Sequence, residues 1–254
     1  MNETRVIAAL QVPAFWITDA RPMSWYEDYV VSNARIFVEN GISSIKLQDE
    51  TTAPANAAPR TVARMARLGA ALKRAFPKLD LGIILQAHDA EAALAVADGC
   101  DASFVRLKIF AGAAVNADGP RAALGPAATA YRDAIGRRDI RILADVHDRT
   151  AVPWAPVPNE VAAEFAAKLG ADALVITGAS FDDTLDRIAG VRARGLRTPV
   201  WIGGGVTHSN VQRALDAAEG VIVSSSLRRD GAASDAMDRW DGARVRAFMD
   251  EVVR

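Results

Sequence analysis

Three short segments place polar side chains two residues apart in otherwise apolar surroundings. Ser44, Lys46 and Gln48 alternate with Ile45 and Leu47; Arg106 and Lys108 alternate with Val105 and Leu107; Asp145 and His147 alternate with Ala144 and Val146. On a β-strand each polar set shares one face and each apolar set the other. Asp145 and His147 converging on one substrate have the chemistry of an acid–base pair, and an imidazole exchanges protons near neutrality. Lys46 and Lys108 can neutralise a developing oxyanion or a second acidic group, and either could form a Schiff base if desolvated. Arg106, Gln48, and the residues Gln11, Gln86 and Thr177 at the ends of other apolar runs are candidate substrate-binding groups. The competing reading is a closed internal network with Arg106 and Lys108 paired to Asp145. Burying several charges is costly unless each is paired, and a core built for stability alone would use Val and Ile there. A working site is therefore the expectation.

The elements that must carry these residues follow from the apolar pattern. Eight short runs, "RVIAAL", "SSIKL", "LGIIL", "SFVRLKI", "RILADV", "DALVIT", "PVWIGG" and "GVIVSS", are rich in Val, Ile and Leu, as buried parallel strands are. Amphipathic stretches separate them: residues 25–40, 60–75, 90–98, 125–137, 159–169 and 181–194, with a last helix over 241–253. Several stop at Gly or Pro, the usual helix-ending signal. Eight strand–helix units in 254 residues predict a (β/α)8 TIM barrel, an α/β fold, as one domain over residues 1–254. An open doubly wound sheet is the rival, but it commonly needs fewer strands and a second domain. In such barrels the active site lies at the C-terminal ends of the strands, where these polar residues gather. One stretch, "HDRTAVPWAPVPNE", carries Pro153, Pro156 and Pro158 and reads as a stiff loop after the fifth strand. That loop with Trp154, or the segment from Trp16 to Trp25, could cover the mouth or be ordinary surface.

After the seventh run the chain reads "GGGVTHSN", and the eighth ends in Ser224, Ser225 and Ser226 followed by "LRRDG", which reads as a short extra helix. Loops after the last two strands, with a short helix, make a recurring anion site in these barrels. Bare glycines let a phosphate approach backbone N–H groups, and a helix N-terminus adds unpaired donors. Gly203, Gly204, Gly205, Ser224, Ser225 and Ser226 are therefore the expected phosphate-binding residues, with Thr207 or Ser209 capping the helix that follows.

Other polar residues read less sharply. His88 is a site residue or a loop residue before a helix that Asp89 caps. Asp49 and Glu50 contact substrate hydroxyls or face water. A divalent metal on Asp145, His147 and His88 is not supported by ligand spacing, and no cofactor is expected. His208 belongs to a helix start and is expected to be exposed. No Gly-x-Ser-x-Gly elbow marks a serine nucleophile, and Cys100 precedes a strand and reads as packing. The balance of 30 Lys and Arg against 31 Asp and Glu provides no basic field for nucleic acid or an anionic membrane surface. No apolar window reaches the roughly 18 residues of a membrane span, and the N-terminal apolar run is short for a signal peptide. With a single cysteine, the expectation is a cytoplasmic protein whose partner is a small phosphorylated ligand, with homo-oligomerisation left open.

The segments "GCDASFVRLKIFAGAAVNADG", "ILADVHDRTA", "GADALVITGAS", "GGGVTHSNV" and "AEGVIVSSSLRRDG" resemble, in order and spacing over essentially the whole chain, the BtpA/SgcQ family of TIM-barrel proteins. The resemblance implies a phosphate motif like that of ribulose-phosphate-binding barrels, and a founding role in biogenesis of photosystem I. It carries over to Asp145, His147, Arg106 and the phosphate loops. It does not carry over to the first two strands: Gln11 stands where the family typically has a histidine, and "LQDE" replaces a Glu-Asn pair. Thr150 stands near the place of a second histidine. The expectation is thus a divergent member, an isomerase, epimerase or aldolase-type lyase on a sugar phosphate or nucleotide-like compound. The alternative is a non-catalytic assembly factor.

Overall fold

The computed structural model describes residues 5–15, 21–51 and 56–253. In chain order its elements are β1 (Val6–Val12), α1 (Met23–Glu39), β2 (Ser44–Asp49), α2 (Pro59–Ala75), β3 (Asp80–Ile84) and α3 (Ala90–Gly99). Next come β4 (Phe104–Leu107), β5 (Ala114–Asn116), β6 (Gly119–Arg121), α4 (Gly125–Ala134), β7 (Arg141–Val146) and β8 (Val152–Pro153). The chain continues with α5 (Asn159–Lys168), β9 (Ala173–Ile176), α6 (Phe181–Ala193), β10 (Val200–Ile202), α7 (Val211–Ala217), β11 (Gly220–Val223), a 3-10 turn (Ser225–Leu227) and α8 (Gly242–Val253). All eight apolar runs form strands, and these close into one parallel barrel in the order β1-β11-β10-β9-β7-β4-β3-β2. Closure is made where Val6 of β1 pairs with Val221 of β11. The fold is a (β/α)8 barrel, and the open sheet is excluded.

Strand alternation divides the side chains between two cores. Outward residues such as Ile45, Leu47, Val105, Ile142, Leu174 and Ile176 pack with the helices, whose Tyr26, Phe37, Leu68 and Leu94 are fully buried. Inward residues form a second, smaller cluster of Ile7, Ala9, Phe104, Leu143, Ala173, Val175, Trp201 and Ile222. Two glycines make room for the rings in it. A Cβ at Gly82 would lie 2.0 Å from Phe104, and one at Gly220 would lie 2.4 Å from Trp201. These side chains plug the lower barrel, so that inward residues further along each strand stand on an apolar floor.

Some local expectations change. The fourth run ends its strand at Leu107, because Ile109 takes a left-handed conformation (φ 46°) that no strand accommodates. The proline-rich loop contributes β8 to a three-stranded antiparallel sheet, β6-β5-β8, in which Val115 pairs with Val152. The extra short helix lies in the serine run itself rather than in "LRRDG". Asp89 caps α3 as expected, accepting the Ala92 N–H. Neither Thr207 nor Ser209 caps α7: Asn210 is the N-cap, and its Oδ1 accepts the Thr207 N–H. His208 is half-buried rather than exposed, donating to the Arg244 carbonyl and packing edge-on against Phe248. Trp16 lies outside the described residues, and Trp25 stacks on Tyr29.

Candidate active site

Each barrel strand ends in a polar or small inward residue one step above the apolar floor. Gln11, Lys46 with Gln48, Gln86, Arg106 with Lys108, Asp145 with His147, Thr177, Gly203 and Ser224 all line one cavity of about 240 Å³ at the C-terminal mouth. Gly204, Gly205 and Ser225 complete its rim. This is below the roughly 300–1,000 Å³ of drug-sized pockets and suits a small metabolite. Ser226 is the one candidate not on the wall; its Oγ is buried without a partner among the described residues.

The charges inside are unequal. Lys46, Arg106, Lys108, Arg149 and Arg228 line the cavity against the carboxylates of Asp145 and Asp148. Arg106 holds Asp145 with two parallel bonds, Nε to Oδ1 at 2.9 Å and Nη2 to Oδ2 at 3.2 Å. Lys108 is not part of that pair; its Nζ donates to Gln86 Oε1 at 2.9 Å. The internal network is therefore half realised, and the surplus positive charge faces the cavity. Arg149 and Arg228 were missed in the sequence because they sit in loops with no period to place them. Arg228 adjoins the serine run, the one local signal available, and its Nε is buried without a partner among the described residues. Burial and the nearby Arg239 hold its pKa below the ordinary arginine range.

Asp145 and His147 share the cavity but take different partners. His147 sits just past β7 in a left-handed conformation (φ 55°), a strained geometry of the kind functional positions often hold. Its Nδ1 lies 3.2 Å from Asn159 Oδ1, an oxygen that also accepts from Arg187. An amide oxygen only accepts, so Nδ1 carries the proton and Nε2 keeps the lone pair in the neutral ring. Burial lowers the imidazole pKa, as does Arg187. Asp145 and His147 thus line one cavity with separate partners, Arg106 for the carboxylate and Asn159 for the imidazole.

Lys46, on β2, is only 2% exposed. Its Nζ donates to Gln48 Oε1 at 2.8 Å, and Gln48 Nε2 donates to Glu50 Oε1 at 2.7 Å, a chain running up one strand face. Burial first, then the charge of Arg106 with a smaller push from Lys108, takes its pKa well below the usual lysine value; Asp145 opposes them. Asp49 points to the helix side instead, with its carboxyl pushed up to about 6 by burial. His88 donates to the Ala122 carbonyl and lines a second cavity, which shares Gln86, Arg106 and Lys108 with the first. Cys100 is buried, with its thiol pushed up to about 12 by desolvation, and serves packing.

The glycine turn serves two purposes. The Gly203 N–H is already spent on the Ile176 carbonyl at 2.9 Å, and a Cβ there would lie 2.3 Å from Thr177 Oγ1. Gly203 is bare for packing, which corrects its assignment as an amide donor. Gly204 and Gly205 differ: among the described residues their N–H groups take no intrachain partner, and neither do those of Ser225 and Ser226. Gly205 adopts φ 78°, open only to glycine without strain. Ser224 Oγ donates to Gln11 Oε1 at 3.1 Å, tying the eighth barrel strand to the first. Among the described residues no group of three or more His, Cys, Asp and Glu is arranged to hold a metal, and no helix is long and apolar enough to cross a membrane.

Comparison with known proteins agrees with this architecture. The chain is 32% identical over 177 residues to the photosystem I biogenesis protein BtpA of a Synechocystis species, covering 67% of this chain and 59% of that relative. The chain thus spans less than two thirds of that protein's length. It is 29% identical over 208 residues to an uncharacterized protein of Archaeoglobus fulgidus, covering 80% and 82% of the two chains. Among solved structures, native KDPGal superposes with a TM-score of 0.61 at 16% identity over 100% of this chain and 96% of the other. Phosphoribosyl anthranilate isomerase from Thermus thermophilus does so with 0.57 at 13% identity, over 98% of each. At these identities the likeness concerns the fold. The model of the BtpA family matches residues 9–254, and the chain belongs to the BtpA family.

Proposed function

We propose that this chain is an enzyme acting on a small phosphorylated metabolite, a sugar phosphate or a nucleotide-like compound, held in the barrel mouth. The observation that carries the reading is the juxtaposition of amides at Gly204, Gly205 and Ser225, which take no partner among the described residues, with a surplus of cationic side chains around one small cavity. Phosphate is bound by backbone N–H groups and guanidinium forks together. In this reading Gly204, Gly205 and Ser225 grip the phosphate, with Arg228 and Arg149 beside it. Lys46, Arg106, Lys108 and His147 surround the reacting carbons. The reaction class is proton transfer beside a carbonyl or hydroxyl, as in isomerisation, epimerisation or aldol-type cleavage. His147 Nε2 exchanges the proton, while Asp145 holds Arg106 on the developing negative charge. The shared fold adds no support, since this barrel hosts many chemistries.

A thermal-shift panel of sugar phosphates, nucleotides and inorganic phosphate tests it. At about 100 times its Kd, a ligand stabilises by about 2.7 kcal/mol, a rise of about 5–10 °C for a chain of this size. No shift with any phosphorylated compound would overturn the reading.

A second reading, an assembly factor without catalysis, is favoured by one observation. Val152 (70% exposed), Trp154 (65%) and Phe165 (43%) are exposed, and the two aromatics border an apolar cavity of about 250 Å³ beside the mouth. Contiguous exposed apolar surface marks interaction sites, and the Synechocystis relative is named for photosystem I biogenesis. It predicts a stable partner in a pull-down that Trp154→Ala releases. No partner in the wild type would sink it.

A further inference from the structure

Lys46 occupies an unusual place for a lysine. Its neighbours across the sheet are Ala9 on β1 and Gly82 on β3, the smallest residues available. Below it lies the apolar cluster of Phe104, Leu143, Val175, Trp201 and Ile222. Among the described residues its one hydrogen-bond partner is a neutral amide oxygen, Gln48 Oε1. No ion pair among the described residues includes it, whereas Arg106 takes both oxygens of Asp145. As an ammonium, Lys46 would add a third cation to Arg106 and Lys108 beside an Asp145 carboxylate that Arg106 already holds. Lys46 nevertheless lines the cavity. A lysine desolvated beside other cationic groups is an amine nucleophile.

We infer that Lys46 is a covalent nucleophile that forms an imine with a carbonyl carbon of the bound ligand. This rests on the reading of the mouth as a phosphorylated-metabolite site and narrows it to ligands carrying an aldehyde or ketone. The Lys46 nitrogen adds to the carbonyl carbon; the C–N bond forms and the C=O π pair moves to oxygen, which takes up the proton the nitrogen sheds. Lys108, just past β4 and two strands along the barrel from β2, gives a second proton to that hydroxyl. The C–O bond breaks, water leaves, and the positive charge passes from Lys108 to the iminium nitrogen. Solvent then reprotonates Lys108. The iminium withdraws electrons from the neighbouring carbon, which allows a proton to be lost there or a C–C bond to break. Gln48 and Glu50 position the amine through the hydrogen-bond chain up β2.

The test uses the full chain and two probes near neutral pH. Formaldehyde with cyanoborohydride methylates free amines, and dihydroxyacetone phosphate with borohydride fixes any imine the site forms. Peptide mapping assigns the modified lysine. Lys46 should be methylated several-fold faster than the exposed Lys78 and Lys168, since burial and the neighbouring cations hold its amine in the reactive neutral form. Reduced dihydroxyacetone phosphate should be found on Lys46, and Lys46→Met, checked for an intact melting transition, should lose it. Methylation of Lys46 no faster than the surface lysines overturns the inference. So does a protein that dihydroxyacetone phosphate stabilises against heat while borohydride fixes nothing at Lys46, and in that case the phosphate site stands. Failure of both dihydroxyacetone phosphate and inorganic phosphate to stabilise, with Lys46 still methylated first, supports the nucleophilic amine and counts against these two compounds as ligands of the phosphate site.

Discussion

Replacing Arg106 with Met separates a structural ion pair from a catalytic carboxylate. The Arg106 and Asp145 side chains are 12% and 6% exposed and joined by two hydrogen bonds. Two unit charges about 4 Å apart attract by about 4 kcal/mol at an effective dielectric of 20. Removing one partner of a buried pair costs about 3–5 kcal/mol, because the other stays buried and uncompensated. The cavity admits water and Lys46 can take up a proton beside Asp145, so the low end, about 3 kcal/mol, is expected for Arg106→Met. Asp145→Asn should cost a similar amount, since it leaves Arg106 facing Lys46 and Lys108 with no carboxylate between them. The double variant should be less destabilised than the two losses added, with a coupling of about 2 kcal/mol. Urea denaturation at pH 7, with a common slope across the four proteins, measures all of this. Single losses below about 1 kcal/mol that simply add would refute the argument that the pair is a buried, mutually dependent unit. Asp145→Asn that keeps full stability yet abolishes turnover would return the carboxylate to the acid–base role.

Gly203→Ala should destabilise by about 1–3 kcal/mol through overpacking against Thr177 and Val175, whereas Gly204→Ala, whose Cβ meets nothing closer than 3.7 Å, should keep stability and blunt the thermal shift produced by phosphate; equal stabilities in denaturation would contradict the distinction. Arg228→Met should weaken phosphate binding about 10- to 100-fold in calorimetry, the loss of one charged hydrogen-bond donor, and unchanged affinity would place the anion elsewhere. The Asp49 carboxyl, raised from 3.8 to about 6 by burial, holds its proton more tightly when folded. Its contribution therefore falls as pH rises from about 4 through 6, and Asp49→Asn should exceed the wild type by up to about 3 kcal/mol at pH 7 and match it near pH 4. A stability difference between the two proteins that does not change with pH would show that the carboxyl is not perturbed.

Much of this molecule could be read from local pattern alone. Eight apolar runs alternating with amphipathic stretches fix the barrel, since a parallel strand covered on both faces must be Val-, Ile- and Leu-rich. The two-residue period placed Lys46, Gln48, Arg106, Lys108 and Asp145 on inward faces without any knowledge of their neighbours. Their position near the strand ends followed from chain direction, and all of them line the cavity. What failed depended on where an element stops. His147 and Ile109 leave the strand conformation at the mouth, where loop closure rather than side-chain period decides the backbone.

Partner choice was decided only in three dimensions. Asp145 meets Arg106, His147 meets Asn159 and Gln11 meets Ser224 across tens to hundreds of residues of sequence. Gly203 is small because Thr177 of the neighbouring strand crowds it, and Arg149 and Arg228 reach the cavity from loops that carry no period. The isolation of Lys46 arises the same way, from Ala9 and Gly82 on adjacent strands and rings rising from the barrel floor. A residue's type and its face are local properties of a strand. Its solvation and its hydrogen-bond partners belong to the closed barrel, because only closure sets which distant side chains share the space with it and which water is expelled.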